Sequence, residues 1–259
     1  MVQLVIAEKP SVAASLARVL GVSKKKDGFW EGENKLISWC VGHLVELAGA
    51  DSYDPRYSKW EREDLPLLPA VWQYTIAPDT KKQFTVLQKL MHREDVECIV
   101  NACDAGREGE LIFRLVYGQS GCNKPVKRLW ISSIEDEAIR KGWDHLLAGE
   151  HYDNLYQAAL CRSKADWLVG INATRLFSCL YHKILNIGRV MTPTLGMIVQ
   201  REAEIASFRK EPFYAVTITF DGITAESERF PSKTDAQRLR EKVLGKTAIV
   251  QSVIHKERK

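Results

Sequence analysis

The sequence predicts an α/β fold: a mostly parallel, Rossmann-like sheet with flanking helices, followed by a helical segment and the start of a β-containing one. Three observations lead there. Short apolar runs at 2–7, 36–41, 96–103 and 126–131 read as buried strands. Helical stripes alternate with them, as crossover connections between parallel strands require. Near His151 the pattern changes to helical spacing, which runs to about Arg209 and is broken by Pro212.

The elements follow in order. Val2 to Ala7 is the first strand. Ser11 is the expected N-cap of a helix with a Val12, Leu16, Val19 and Leu20 stripe, ended by Gly21. Residues 29–34 form the expected hairpin partner of the 36–41 strand. Residues 50–80, rich in Pro, Asp and aromatics, read as an irregular excursion, and Lys81 to Met91 as a helix. After the 96–103 strand, Leu111, Ile112, Leu115 and Val116 form a helix stripe. Ser132 and Glu135 have the spacing of a capping box before the next helix. Beyond Pro212, strands are expected at 213–220 and 248–254, with a helix at 234–244 between them.

The chain has 259 residues, 45% hydrophobic and 27% charged. That length supports a core without disulfide or metal staples, and that balance argues against disorder. No apolar run is long enough to span a bilayer. The N-terminus MVQLVIAEKPS lacks a basic n-region and a small-residue cleavage site, so it is not read as a signal peptide. Cysteines 40, 98, 103, 122, 161 and 179 form no C-x-x-C pair. They point to a reducing, cytoplasmic compartment rather than a zinc site or disulfide framework. Residues 1–159 hold 20 Lys/Arg and 23 Asp/Glu, net −3, whereas residues 160–259 hold 17 and 10, net +7. An acidic part joined to a basic one suits a metal or catalytic site beside a polyanion-binding surface, with chance segregation as the alternative.

Two features fall at the carboxyl ends of expected parallel strands, where open α/β sheets place their sites. One is Glu8-Lys9. The other is the turn Asp104-Ala105-Gly106-Arg107-Glu108-Gly109-Glu110. Converging carboxylates repel each other unless a cation joins them, and Mg²⁺ prefers such oxygen ligands. Lys9 adds a positive charge or a proton donor for a phosphate. A solvated acidic turn opening a helix is the plain alternative.

The segments VIAEKPSVA at the N-terminus, VGHLVEL at 41–47, NACDAGREGELIFR at 101–114 and NIGRVMTPTLGMIVQRE at 186–202 resemble, in that order, the signatures of bacterial type IA DNA topoisomerases of the topoisomerase III kind. The resemblance implies a Toprim domain over residues 1–150, part of a helical DNA-binding domain over 151–211, and the start of a gate domain over 212–259. It implies Glu8, Asp104 and Glu108 as Mg²⁺ ligands. Glu8 and Lys9 become catalytic residues, with Lys9 touching the scissile phosphate and helping to protonate the leaving oxygen. The family motif is often D-x-D-x-E; its middle acid is here Gly106, and Glu110 is a candidate to compensate in part. The implied single-stranded-DNA contacts are Lys9, Arg107, Arg162, Asp166, Arg175, Lys183, Gly188, Arg189 and Thr192. Arg162 and Asp166, four apart, share one helix face, with an intrahelical ion pair as the plain reading. Met191 stands where many relatives have Gln. His43 is a candidate substrate-facing group, with a structural role as its alternative.

Type IA chemistry needs a tyrosine that attacks a DNA phosphodiester and holds a 5′-phosphotyrosine while the other strand passes, without ATP. In the family it lies in a Tyr-x-Arg-Thr-Asp/Glu context. None of the eight tyrosines here has that context. The expectation is therefore an N-terminal part of an isomerase that relaxes or decatenates DNA. Alone it would bind Mg²⁺ and single strands near the bacterial nucleoid, without a membrane and without cleaving DNA. A Toprim-type metal-dependent nuclease or primase-like enzyme, and a non-catalytic DNA-binding module, are the alternatives.

Overall fold

A computed structural model describes residues 2–220, 222–247, 249 and 251–254. In chain order the elements are β1 (Val2–Ala7), α1 (Pro10–Val19), β2 (Lys24–Lys26), β3 (Phe29–Glu31), β4 (Lys35–Trp39), β5 (Val45–Leu47), β6 (Tyr74–Ile76), α2 (Lys81–Met91) and β7 (Val96–Ala102). They continue with α3 (Arg107–Ser120), β8 (Val126–Arg128), α4 (Asp136–Trp143), β9 (Leu147–Ala148), α5 (Asp153–Tyr181), α6 (Met191–Ala206), β10 (Thr217–Phe220), β11 (Ile223–Glu226) and α7 (Lys233–Val243). The chain forms two compact units, one reaching Leu195 and the other starting at Gly196.

The first unit is built on a seven-stranded sheet of order β2-β3-β4-β1-β7-β8-β9. The inner strands β4, β1, β7 and β8 run parallel, and β2, β3 and β9 are antiparallel at the edges. Alternation along β1 explains why Leu4 to Ala7 are all apolar. Leu4 and Ile6 pack on one face with Phe84, Leu87, Leu111 and Phe113, and Val5 and Ala7 on the other with Ala13, Leu16 and Ile139. α2 and α3 therefore cover one side, and α1 and α4 the other. Ala159 and Leu160 of α5 join the first cluster, so α5 packs against α3. The second unit holds the antiparallel β10–β11 pair and α7, with a Tyr214–Phe230 bridge. Among the described residues no helix is long and apolar enough to cross a membrane.

Several local expectations change. Ser11 does not cap α1: Lys9 takes the N-cap position and Pro10 the first helical one, where its missing N–H costs nothing. The Ser132/Glu135 box does not form. Glu135 takes the N-cap position of α4 without a side-chain cap bond, and its N–H donates to Ser133 Oγ at 3.3 Å. The 36–41 and 126–131 strands end early, at Trp39 and Arg128, and the 213–220 strand starts late, at Thr217. The excursion at 50–80 contains short 3₁₀ turns and β6, which pairs with β5. The expected strand at 248–254 includes residues 248 and 250, outside the described set; its described residues carry no strand.

Candidate active site

β1 and β7 are neighbours in the sheet, with Ala7 opposite Ala102, so the residues after each strand emerge side by side. Glu8 and Lys9 follow β1, and Cys103 and Asp104 follow β7. The Lys9 Nζ lies 3.3 Å from Asp104 Oδ2 and 3.6 Å from Glu8 Oε1. The Asp104 N–H donates to Glu8 Oε2 at 3.3 Å. The hydrogen bond to Asp104 and the charges of Asp104 and Glu8 hold the Lys9 ammonium above the ordinary lysine range, so it stays protonated at neutral pH. Glu108, in the first turn of α3, faces His43, with 3.8 Å between Oε2 and Nε2. Asp104, Glu108 and His43 are all substantially solvent-open, and Glu8 is nearly buried.

Two glycines shape the turn for different reasons. A Cβ on Gly109 would lie 2.2 Å from the Asp104 carbonyl oxygen, so only glycine lets α3 start this close to that backbone. A Cβ on Gly106 would meet nothing within 4 Å, and its φ of 179° is extended backbone open to any residue. The absence of an acid at 106 is thus a chemical difference that the backbone does not demand. Glu110 does not replace that acid. It is 1% exposed and points inward, accepting from Asn101 Nδ2 at 2.9 Å and pairing with Arg114 Nε at 2.9 Å and Arg128 Nε at 3.1 Å.

The donor chemistry of Glu8, Asp104 and Glu108 is hard oxygen, which suits Mg²⁺ rather than zinc or copper. As placed, the ammonium of Lys9 sits between Glu8 and Asp104. Among the described residues no three carboxylate, His or Cys groups close into a ligand cage. The residues fit an open site completed by water or phosphate oxygens, not a closed protein cage.

A second cluster forms around Asp166 on α5. Arg189 Nε donates to Asp166 Oδ1 at 2.5 Å, and Arg162 Nε lies 3.7 Å from Oδ2. These contacts, chiefly the Arg189 hydrogen bond, hold Asp166 below the usual carboxylate range. Gly188 and Thr192 bond reciprocally: the Gly188 N–H donates to Thr192 Oγ1 at 3.0 Å, and the Thr192 N–H to the Gly188 carbonyl at 3.2 Å. The structure thus gathers Arg162, Asp166, Gly188, Arg189 and Thr192. Arg107 and Lys183 are exposed, without an ion pair among the described residues. Arg175 stands apart. Nine residues from Asp166, it lies about half a turn around the helix, is 8% exposed, and stacks on Trp60 at 5.5 Å. A direct phosphate contact from Arg175 does not fit that burial.

Sequence reasoning missed Arg128. It is 1% exposed, and its Nη1 donates to the carbonyls of Cys103 (2.7 Å), Leu129 (2.9 Å) and Asn101 (3.1 Å). Its Nη2 donates to the Asp104 carbonyl at 2.8 Å. The available signal was a charged residue inside a run otherwise read as a core strand. Cavity volume marks neither cluster: a groove of about 980 Å³ lies in the second unit, between residues 213–219 and α7.

The chain belongs to the Toprim family, whose domain matches residues 3–134. The DNA topoisomerase family matches residues 150–259. Among relatives, the chain is 49% identical over 213 residues to DNA topoisomerase 3 of Bacillus thuringiensis (strain Al Hakam), covering 82% of this chain and 29% of that protein. To DNA topoisomerase 3 of Bacillus subtilis (strain 168) it is 43% identical over 254 residues, 95% of this chain and 35% of the relative. The chain thus spans about a third of the length of the relatives it matches. Full-length topoisomerase I from Thermotoga maritima shares its fold, with a TM-score of 0.58 at 21% identity over 92% of this chain and 37% of that one.

Proposed function

We propose that this chain is the metal- and strand-binding part of a type IA DNA topoisomerase, with a Toprim domain over 1–150, a helical DNA-binding part over 151–211 and the start of a gate over 212–259. The observation that carries the reading is the Lys9 ammonium held between Asp104 and Glu8 at the ends of adjacent parallel strands. A protonated, solvent-facing ammonium there would orient a DNA phosphate and pass a proton to the oxygen leaving it, regaining one from water. Glu8, Asp104 and Glu108 would hold Mg²⁺, which supplies charge neutralisation at that phosphate when bound. Gly106 leaves that coordination to fewer protein oxygens than a three-acid motif gives. Arg162, Arg189, Lys183 and Arg107 supply positive charge for the backbone of a single strand, and the Gly188–Thr192 turn supplies amides and hydroxyls. The natural setting is the bacterial cytoplasm beside the nucleoid. The alternative of a Toprim-type metal-dependent nuclease or primase-like enzyme has no use for a DNA topoisomerase match over 150–259.

The test is fluorescence anisotropy with a labelled single-stranded oligonucleotide and its duplex, from 50 to 300 mM salt. Preferential single-strand binding that weakens linearly with log salt supports the reading. Salt-independent binding, or none, overturns it.

A further inference from the structure

The acidic turn has a buried support beneath it that the proposed chemistry does not use. Arg128 ends β8, directly opposite Asn101 of β7. Its guanidinium crosses the end of β7 and donates to four carbonyls, the last being that of Asp104 at 2.8 Å. Its charge is balanced by Glu110, which is equally buried. Asn101 ties the two together: its Nδ2 donates to Glu110 at 2.9 Å, and its Oδ1 accepts the Cys103 N–H at 3.0 Å. Trp130 and Tyr152, stacked at 4.9 Å, close the guanidinium off from water, with centroids 5.0 and 5.9 Å from it.

The Asp104 residue is therefore gripped from both sides. Its N–H donates outward to Glu8, and its carbonyl accepts inward from Arg128. The same carbonyl is wedged by the first turn of α3, where Gly109 leaves no room for a side chain. With both groups of its backbone fixed, the point from which the Asp104 side chain departs is fixed too, and from there its carboxylate meets Lys9 at 3.3 Å. We propose that Arg128 is a positioning residue for the carboxylate site: it sets the aim of Asp104, and through it the affinity of the site for a divalent cation. This rests on the reading of Glu8, Asp104 and Glu108 as the cation ligands.

The test is Mn²⁺ titration of the full 259-residue chain, followed by electron paramagnetic resonance, with circular dichroism and thermal melting on each variant. R128K keeps the charge beside Glu110 but loses the fork that spans several carbonyls. It is expected to weaken Mn²⁺ binding at least tenfold. R114K breaks the other Arg contact to Glu110, away from the turn, and is expected to leave Mn²⁺ affinity within about twofold at a similar loss of melting temperature. If lysine is not accommodated, R128M/E110M removes both buried charges together and serves instead, with the same expected loss. In the unmodified chain, the Arg128 side-chain ¹⁵N resonances should shift on Mg²⁺ addition while those of Arg114 do not. Wild-type Mn²⁺ affinity in whichever variant folds, or an Arg128 resonance indifferent to Mg²⁺, overturns the positioning role. No Mn²⁺ binding by the wild-type chain, or binding unchanged by D104N, overturns the cation-site reading instead.

Discussion

Gly109 and Gly118 lie on the same helix, α3, and an alanine at each has opposite consequences. In a helix interior, alanine is favoured over glycine by roughly 1 kcal/mol. At Gly118 a Cβ meets nothing within 4 Å, so G118A should realise most of that gain. At Gly109 the Cβ would lie 2.2 Å from the Asp104 carbonyl oxygen, 2.9 Å from its nitrogen and 3.0 Å from its carbonyl carbon. All three are backbone atoms of a residue already held by Glu8 and Arg128, so none yields as a side-chain tip would. Overpacking of this kind costs about 1–3 kcal/mol, and more against fixed backbone, which outweighs the propensity gain. The expected outcome is G118A stabilised by roughly 0.5–1 kcal/mol and G109A destabilised by about 1–3 kcal/mol. Urea unfolding followed at 222 nm, with unchanged m-values, reads both. Equal stabilisation by the two alanines would refute the close approach of α3 to Asp104.

Glu110→Ala leaves Arg128 buried without its counter-charge and should cost about 3–5 kcal/mol in the same urea assay; a loss under 1 kcal/mol would show that the pair is not buried as described. Asp166 titrates below its ordinary value of 3.8 because Arg189 and Arg162 hold its charged form. Its contribution to stability is therefore complete above 3.8 and lost as the pH falls through the lowered value. The difference in stability between wild type and D166N should accordingly shrink below pH 4, and a difference constant from pH 7 to 2.5 would refute the pairing. The chain should form no covalent adduct with a single-stranded oligonucleotide under Mg²⁺, because none of its tyrosines has the family's nucleophile context; a radiolabelled adduct on a denaturing gel would contradict this.

The centre of the sheet was legible because β1 over Leu4–Ala7 and β7 over Ile99–Ala102 are buried and mostly apolar, and both strands lie where those runs predict. The edges were not. β2 is Lys24-Lys25-Lys26, a strand defined by its hydrogen bonds to β3 and by no apolar pattern, and three edge lysines read equally well as a solvated loop. The carboxylates of the site were legible from their place after apolar strands. Arg128 was not, because a buried cation is recognisable only once its carbonyl partners, scattered from Asn101 to Leu129 in sequence, have been brought together. Arg175 misled for the opposite reason: a cation in a basic helical segment reads as a surface group, yet the 50–64 excursion folds Trp60 over it.

The two clusters serve one function only if a DNA strand runs across both. Photocrosslinking a single-stranded oligonucleotide carrying 4-thiothymidine to the chain, with the crosslinked peptides identified by mass spectrometry, tests this most directly. Crosslinks in the peptides holding Lys9 or Arg107 and in the 186–192 segment are the predicted result. Crosslinks confined to β2, α7 or other surfaces, with both of those segments unlabelled, would contradict it.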